Sequence, residues 1–166
     1  MNGWVGKLLR VDLTNASFNL EELDQDAAID FIGGRGLATK ILFDEIDPAI
    51  DPFDPDNKLI FATGPLTGTG AIAGSRYMVV TKSPLTNGIA CSNSGGYFGP
   101  ELKYAGYDVI IFEGKSPEPV YLFINDDTIE LRPAEDLWGM TTHATEDAIR
   151  SQIGKPWKGE QHRTCR

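Results

Sequence analysis

Residues 57–100 contain no aspartate or glutamate. A chain carrying 24 acidic residues in 166 would be expected to place about six in a window of that length. Lys58, Arg76 and Lys82 are the only charges there, and glycines crowd the loops. Most of the segment reads as short strands and tight turns. Residues 58–63 and 76–82 (RYMVVTK) are apolar strands, Asn87-Gly88 is a strong turn signal, and residues 89–92 continue as a further strand. Two physical readings are open. Acids are excluded from strands buried inside a sheet. An acid-free, glycine-rich surface also exposes backbone N–H groups that a phosphate can approach without repulsion.

Outside the window, hairpins alternate with short helices. Residues 3–13 and 18–23 read as strands joined through Thr14, Asn15 and Ala16. Asp24 is placed to cap a helix that reaches Phe31 and ends at Gly33-Gly34. Residues 36–46 then set Leu37, Ile41 and Leu42 at helical spacing, and Pro48, Pro52 and Pro55 enforce an irregular acidic loop. Further helices are predicted over 96–105 and from Thr141 or Thr142 to Ile153. Between them lie a buried strand at 108–113 (DVIIFE) and a hairpin of 120–124 with 128–132.

This order lacks regular βαβ alternation, so the predicted class is α+β, sheet-rich with hairpins and short helices. A hairpin followed by a helix occurs in 5–31 and again in 120–153, an echo that admits an internal duplication. One domain is expected over 1–154. The tail 155–166 has no periodicity, and its four cations and one acid reverse the sign of the chain.

Composition excludes several functions. A formal net charge of −9 argues against non-specific nucleic-acid binding. No apolar run reaches the roughly 18 residues of a membrane span, and the opening MNGWVGKLLRVDL has no secretory h-region, so a soluble cytoplasmic protein is expected. The sequon Asn15-Ala16-Ser17 therefore carries no weight. Cys91 and Cys165 are too few for the four thiolates of an iron–sulfur cluster. Gly64–Gly74 (GPLTGTGAIAG) follows a strand, but its glycine spacing is wrong for a dinucleotide loop and it leads into a strand. Prolines 52 and 55 spoil any calcium loop at Asp51, Asp54 and Asp56. His143 and His162 lack partners at zinc spacing, and Ser75 and Ser83 lack a positioned histidine. Trp4, Trp138 and Trp157 read as packing residues.

Two blocks carry a longer resemblance: GPLTGTGAIAGSRYMVVTKSPLT and SNSGGYFGPELKYAGYDVIIFEGKSPEPVYLFI. With GWVGKLLRVDLT, GGRGLATKIL and DPFDPDNKLIFATGPLTG, they resemble the N-terminal domain of the tungsten-containing aldehyde:ferredoxin oxidoreductases, over residues 2–153. The resemblance implies a sheet-rich base for two molybdopterins that chelate tungsten, or molybdenum, through their dithiolenes. It implies oxidation of a small aldehyde to a carboxylic acid, with electrons leaving through a 4Fe-4S cluster to ferredoxin. The cluster ligands and a second phosphate-holding segment of that family are absent from this chain. The implied partners are therefore the remaining domains of a parent enzyme or a complementing subunit, with neither nucleic acid nor membrane; a homodimer stays open. Two alternatives accompany this reading: a stand-alone, non-catalytic phosphate- or pterin-binding module, and the base domain of a benzoyl-CoA-reductase-like relative.

The resemblance also assigns residues. Arg76 stands where the family holds a pterin phosphate, a role suited to a guanidinium with paired donors. Asn93, Ser94 and Gly95, within Ser92-Asn93-Ser94-Gly95-Gly96, match positions beside a pterin and its phosphate. The backbone carbonyl of Asn93 is the implied ligand of a magnesium ion bridging the two phosphates. No catalytic residue is implied within this chain.

Overall fold

Along the central strands, successive side chains point to opposite faces, and apolar residues occupy both sets. Leu8 and Leu9 are both buried, as are Val109, Ile110 and Ile111. Strands of that kind need cover on both sides. The computed structural model describes residues 3–154 and meets that demand.

The strands are β1 (Lys7–Asp12), β2 (Ser17–Glu22), β3 (Leu59–Thr63), β4 (Tyr77–Lys82), β5 (Ile89–Ser94), β6 (Val109–Glu113), β7 (Val120–Asn125) and β8 (Thr128–Pro133). The helices are α1 (Gln25–Phe31), α2 (Gly34–Glu45), α3 (Phe98–Tyr104) and α4 (Thr142–Ile153). Six strands form one sheet in the order β2-β1-β6-β3-β4-β5, and β7 and β8 form a separate pair. Only the β1–β6 pairing is parallel in the large sheet. The α+β class holds. The two hairpins of the sequence echo differ in setting: β1 and β2 belong to the large sheet, whereas β7 and β8 pair only with each other among the described strands.

One face of the sheet packs Leu8, Ile60, Ala62, Val80, Val109 and Ile111 against α1 and α2 through Ala28, Leu37, Ala38 and Leu42. The other packs Leu9, Val11 and Ile110 with Leu102 of α3, and with Leu122, Ile124, Ile129 and Leu131 of the β7–β8 hairpin. Arg10 ties β1 to its surroundings, bonding Glu21 at 2.9 Å, Glu45 at 2.9 Å and Glu113 at 3.1 Å. These three carboxylates raise the guanidinium above its already high ordinary pKa, the Glu45 hydrogen bond most strongly, and Arg10 in turn lowers that of Glu21.

Asp24 caps α1 as expected, accepting from the N–H groups of Asp26 and Ala27 at 2.9 and 3.1 Å. The exit differs from expectation. Ile32 takes the left-handed C-cap (φ 63°), and Gly34 already begins α2. Gly33 serves close approach instead: at φ +110°, a Cβ there would lie 2.3 Å from the Trp4 ring. The first strand is also shorter than expected, because Gly3 and Gly6 adopt positive φ and residues 3–6 leave the ladder. Thr141 caps α4, accepting from the Ala144 N–H at 3.4 Å. Trp4 packs as expected, but Trp138 is 78% exposed and is not a packing residue. His162, Trp157, Cys165 and the tail 155–166 lie outside the described residues. No described helix is long and apolar enough to cross a membrane.

Candidate functional site

Arg76 immediately precedes β4, and Asn93 lies on the edge strand β5, paired directly with Met78. Period-two alternation in an antiparallel pair carries residues 76, 78 and 93 on one face. Arg76 Nη1 donates to Asn93 Oδ1 at 2.7 Å. Gly95 completes the group: a Cβ built there lies 3.8 Å from both Cδ and Nε of Arg76. Arg76, Asn93 and Gly95, far apart in type and chemistry, thus meet at one place. Ser94 does not share that face, because it pairs with Tyr77, whose ring packs against Phe61 and Phe98 on the other side. The left-handed backbone of the loop falls on Gly96 (φ +86°), where a Cβ would meet nothing within 4 Å.

Part of the acid-free window is buried sheet, as the first of its two readings requires. Ile60, Ala62 and Val80 are buried strand residues. The three cations of the window, however, have different surroundings. Lys58 is paired with Glu113 at 2.8 Å and Glu45 at 3.5 Å. Lys82 is buried, donating to the carbonyls of Pro48 at 2.6 Å and Ile50 at 2.5 Å. Arg76 is exposed and, among the described residues, has no carboxylate partner. Its neutral amide partner orients the guanidinium without cancelling its charge. Such a donor set, beside glycines that withhold side chains, suits a phosphate-like anion.

Two residues that sequence reasoning did not single out support this place. Thr67 is buried, and its hydroxyl donates to the Arg76 carbonyl at 2.9 Å. Gly99 of α3 lies so close that a Cβ would come within 3.0 Å of the Ser75 carbonyl and 3.4 Å of that of Arg76. A threonine in a proline-glycine turn and a glycine before a proline read as local turn chemistry, and neither announces a contact with Arg76.

The excluded candidates have local roles. Asp51 and Asp54 accept from the N–H groups of Phe53 and Asp56 at 2.8 and 2.9 Å, shaping turns of the acidic loop. Ser83 accepts from the N–H groups of Leu85 and Thr86 in the β4–β5 turn. Among the described residues no group of three or more His, Cys, Asp or Glu side chains is placed to hold a metal ion.

The sheet thus carries, at its β4–β5 edge, an exposed arginine beside a glycine loop, with no carboxylate partner among the described residues. Residues 8–163 match the family model of the aldehyde ferredoxin oxidoreductase N-terminal domain, and the chain belongs to that family of oxidoreductases. It is 53% identical over 154 residues to the tungsten-containing aldehyde ferredoxin oxidoreductase of Pyrococcus abyssi (strain GE5 / Orsay), covering 93% of this chain and 25% of that relative. It is 46% identical over 143 residues to the aliphatic sulfonate oxidoreductase, WOR-like subunit, of Pyrococcus furiosus, covering 84% of this chain and 23% of that one. Among solved structures, the active site complex BamBC of benzoyl coenzyme A reductase, in complex with 1,5-dienoyl-CoA, matches with a TM-score of 0.91 at 45% identity. That match covers 94% of this chain and 24% of the other. The chain spans about a quarter of the length of the curated relatives it matches.

Proposed function

We propose that this chain is the pterin-supporting base of a tungsten or molybdenum oxidoreductase that oxidises aldehydes to carboxylic acids and passes electrons through a 4Fe-4S cluster to ferredoxin. The observation that carries the reading is the exposed Arg76 guanidinium, held by Asn93 beside Gly95 with no carboxylate partner among the described residues. Arg76 grips a pterin phosphate through paired, charge-assisted hydrogen bonds. Asn93 keeps the guanidinium oriented through its side chain, and its backbone carbonyl is the group that would hold a magnesium ion. Gly95 and Gly96 leave room for a flat ring, whereas the Ser94 side chain belongs to the other face and its backbone pairs with Tyr77.

When bound, the metal–pterin group supplies the two-electron acceptor for the substrate. The role of this chain is to bind and orient it. The cluster ligands, substrate pocket and proton-transfer groups belong, in this reading, to the polypeptide that makes the relatives about four times longer. A cytoplasmic location follows from a ferredoxin partner. The likeness to BamBC favours a second reading, the base of a benzoyl-CoA-reductase-like enzyme. The higher identity to the aldehyde enzymes ranks it behind the first.

The test is Arg76→Glu in the assembled enzyme, expressed in a host that makes the pterin cofactor. Elemental analysis should find little tungsten or molybdenum in the variant and a full complement in the parent. Unchanged metal content would remove Arg76 from the site. Aldehyde-dependent dye reduction by the parent supports the first reading, and dienoyl-CoA-dependent reduction supports the second.

A further inference from the structure

We infer that Thr67 is a positioning residue for Arg76, fixing the main chain from which the guanidinium reaches its anion. The inference rests on the phosphate-binding reading of Arg76 above. Thr67 is only 6% exposed and lies in the connection between β3 and β4. Its hydroxyl accepts from the Gly64 N–H at 3.2 Å and donates to the Arg76 carbonyl at 2.9 Å, so one side chain links the start of the glycine-rich connection to its end. Its methyl group backs onto α3, where it lies 3.1 Å from a Cβ built on Gly99.

The geometry matters because Arg76 is otherwise poorly restrained. Among the described residues its tip makes one hydrogen bond, to an exposed residue of the edge strand. Paired hydrogen bonding to a phosphate demands both the direction and the depth of the guanidinium. A displacement of about 1 Å in a supporting group is enough to weaken such an arrangement strongly. Asn93 sets the direction, and Thr67 sets the depth by pinning the carbonyl of Arg76 itself. Valine at position 67 keeps the shape of threonine but removes the hydroxyl. Serine keeps the hydroxyl and removes the methyl.

The experiment compares Thr67→Val, Thr67→Ser and Arg76→Gln in the assembled enzyme. Metal and pterin content are measured after dialysis, together with thermal unfolding of the cofactor-free protein. Thr67→Val is expected to lose about tenfold in cofactor affinity, as loss of an outer hydrogen-bond partner does at ligand sites. Thr67→Ser should retain the cofactor even where both variants melt lower than the parent. Retention rescued by serine marks the hydroxyl and not the packing. Equal loss in both variants, or failure of Thr67→Val to fold while Thr67→Ser folds without cofactor, would overturn the inference in favour of a purely structural threonine. Full retention by Thr67→Val alongside loss in Arg76→Gln would overturn it while leaving the role of Arg76 intact. Full retention in Arg76→Gln would overturn the reading on which it rests.

Discussion

Lys103 and Asp108 form an ion pair buried on both sides, with 5% and 0% of the two side chains exposed. The pair does more than neutralise itself. Asp108 also accepts from the N–H groups of Val5 at 3.2 Å and Gly6 at 2.6 Å, and the Lys103 ammonium donates to the Gly3 carbonyl at 2.8 Å beneath the Trp4 ring. The segment preceding β1 is therefore held by charge. Gly68, in the connection leading to Arg76, packs on the same lysine, with a built Cβ 3.2 Å from Lys103 Cβ. Asp108→Asn leaves the ammonium buried without its counter-charge, and the loss expected is about 3–5 kcal/mol. Urea unfolding of parent and variant measures it. The double variant Lys103→Met/Asp108→Leu should not recover the parent's stability, because the two backbone donors would lose their acceptor. Full recovery would show that the backbone contacts contribute little.

Local signals were legible in the sequence where a single residue decides the outcome. Asp24 and Thr141 announce the starts of α1 and α4, and Asn87-Gly88 announces the β4–β5 turn. Alternation placed the strands within a few residues of their ends. The sheet order was not legible. β6 enters between β1 and β3, pairing Leu8 with Val109 and Ile60 with Ile111. No local pattern encodes partners about fifty and about a hundred residues away. The same holds at the candidate site. Family likeness singled out Arg76, Asn93 and Gly95, which converge, whereas Thr67 and Gly99 act through contacts that only the folded chain creates.

Stability should respond to acid through Glu21. Its carboxyl lies below its ordinary value of 4.5, chiefly because Arg10 hydrogen-bonds it. A group depressed in the folded state stabilises the fold above its unfolded pKa and loses that contribution as pH falls through the folded one. Urea midpoints should therefore decline below about pH 5, and Glu21→Gln should flatten part of that decline. The difference between parent and variant should be largest at neutral pH and shrink on acidification. Because Glu21 is about a third exposed, the effect is that of a screened pair. A constant difference across the range would show that Arg10 does not hold Glu21 ionised.

Gly33 and Gly70 make opposite demands on an added methyl group. At Gly33 the backbone is left-handed, with a built Cβ 2.3 Å from the Trp4 ring and 3.0 Å from the Thr63 carbonyl. Gly33→Ala should lower stability by about 1–3 kcal/mol from the backbone alone, with displacement of Trp4 adding to it. At Gly70 nothing lies within 4 Å and φ is not positive. Gly70→Ala should then be neutral or stabilising, by up to about 1 kcal/mol. Denaturant titrations of the two variants, with near-ultraviolet circular dichroism to follow Trp4, decide both. Similar losses in the two would refute the steric account of Gly33.

Gly95 offers the sharpest separation of site from structure. Its φ is not left-handed, and a Cβ would meet the Arg76 side chain at 3.8 Å, an ordinary contact. Gly95→Ala should therefore fold and retain the cofactor in the assembled enzyme. Gly95→Val adds two methyl groups on the side where Arg76 and a pterin phosphate would meet, and its branched Cβ cannot swing them all away. Metal and pterin content should fall sharply in the valine variant. The cofactor-free protein should lose no more than about 4 °C in melting temperature, the shift that about 1 kcal/mol produces in a domain of this size. A large fall in cofactor-free stability would instead mark Gly95 as a turn residue. Full cofactor retention by Gly95→Val would place the ligand elsewhere.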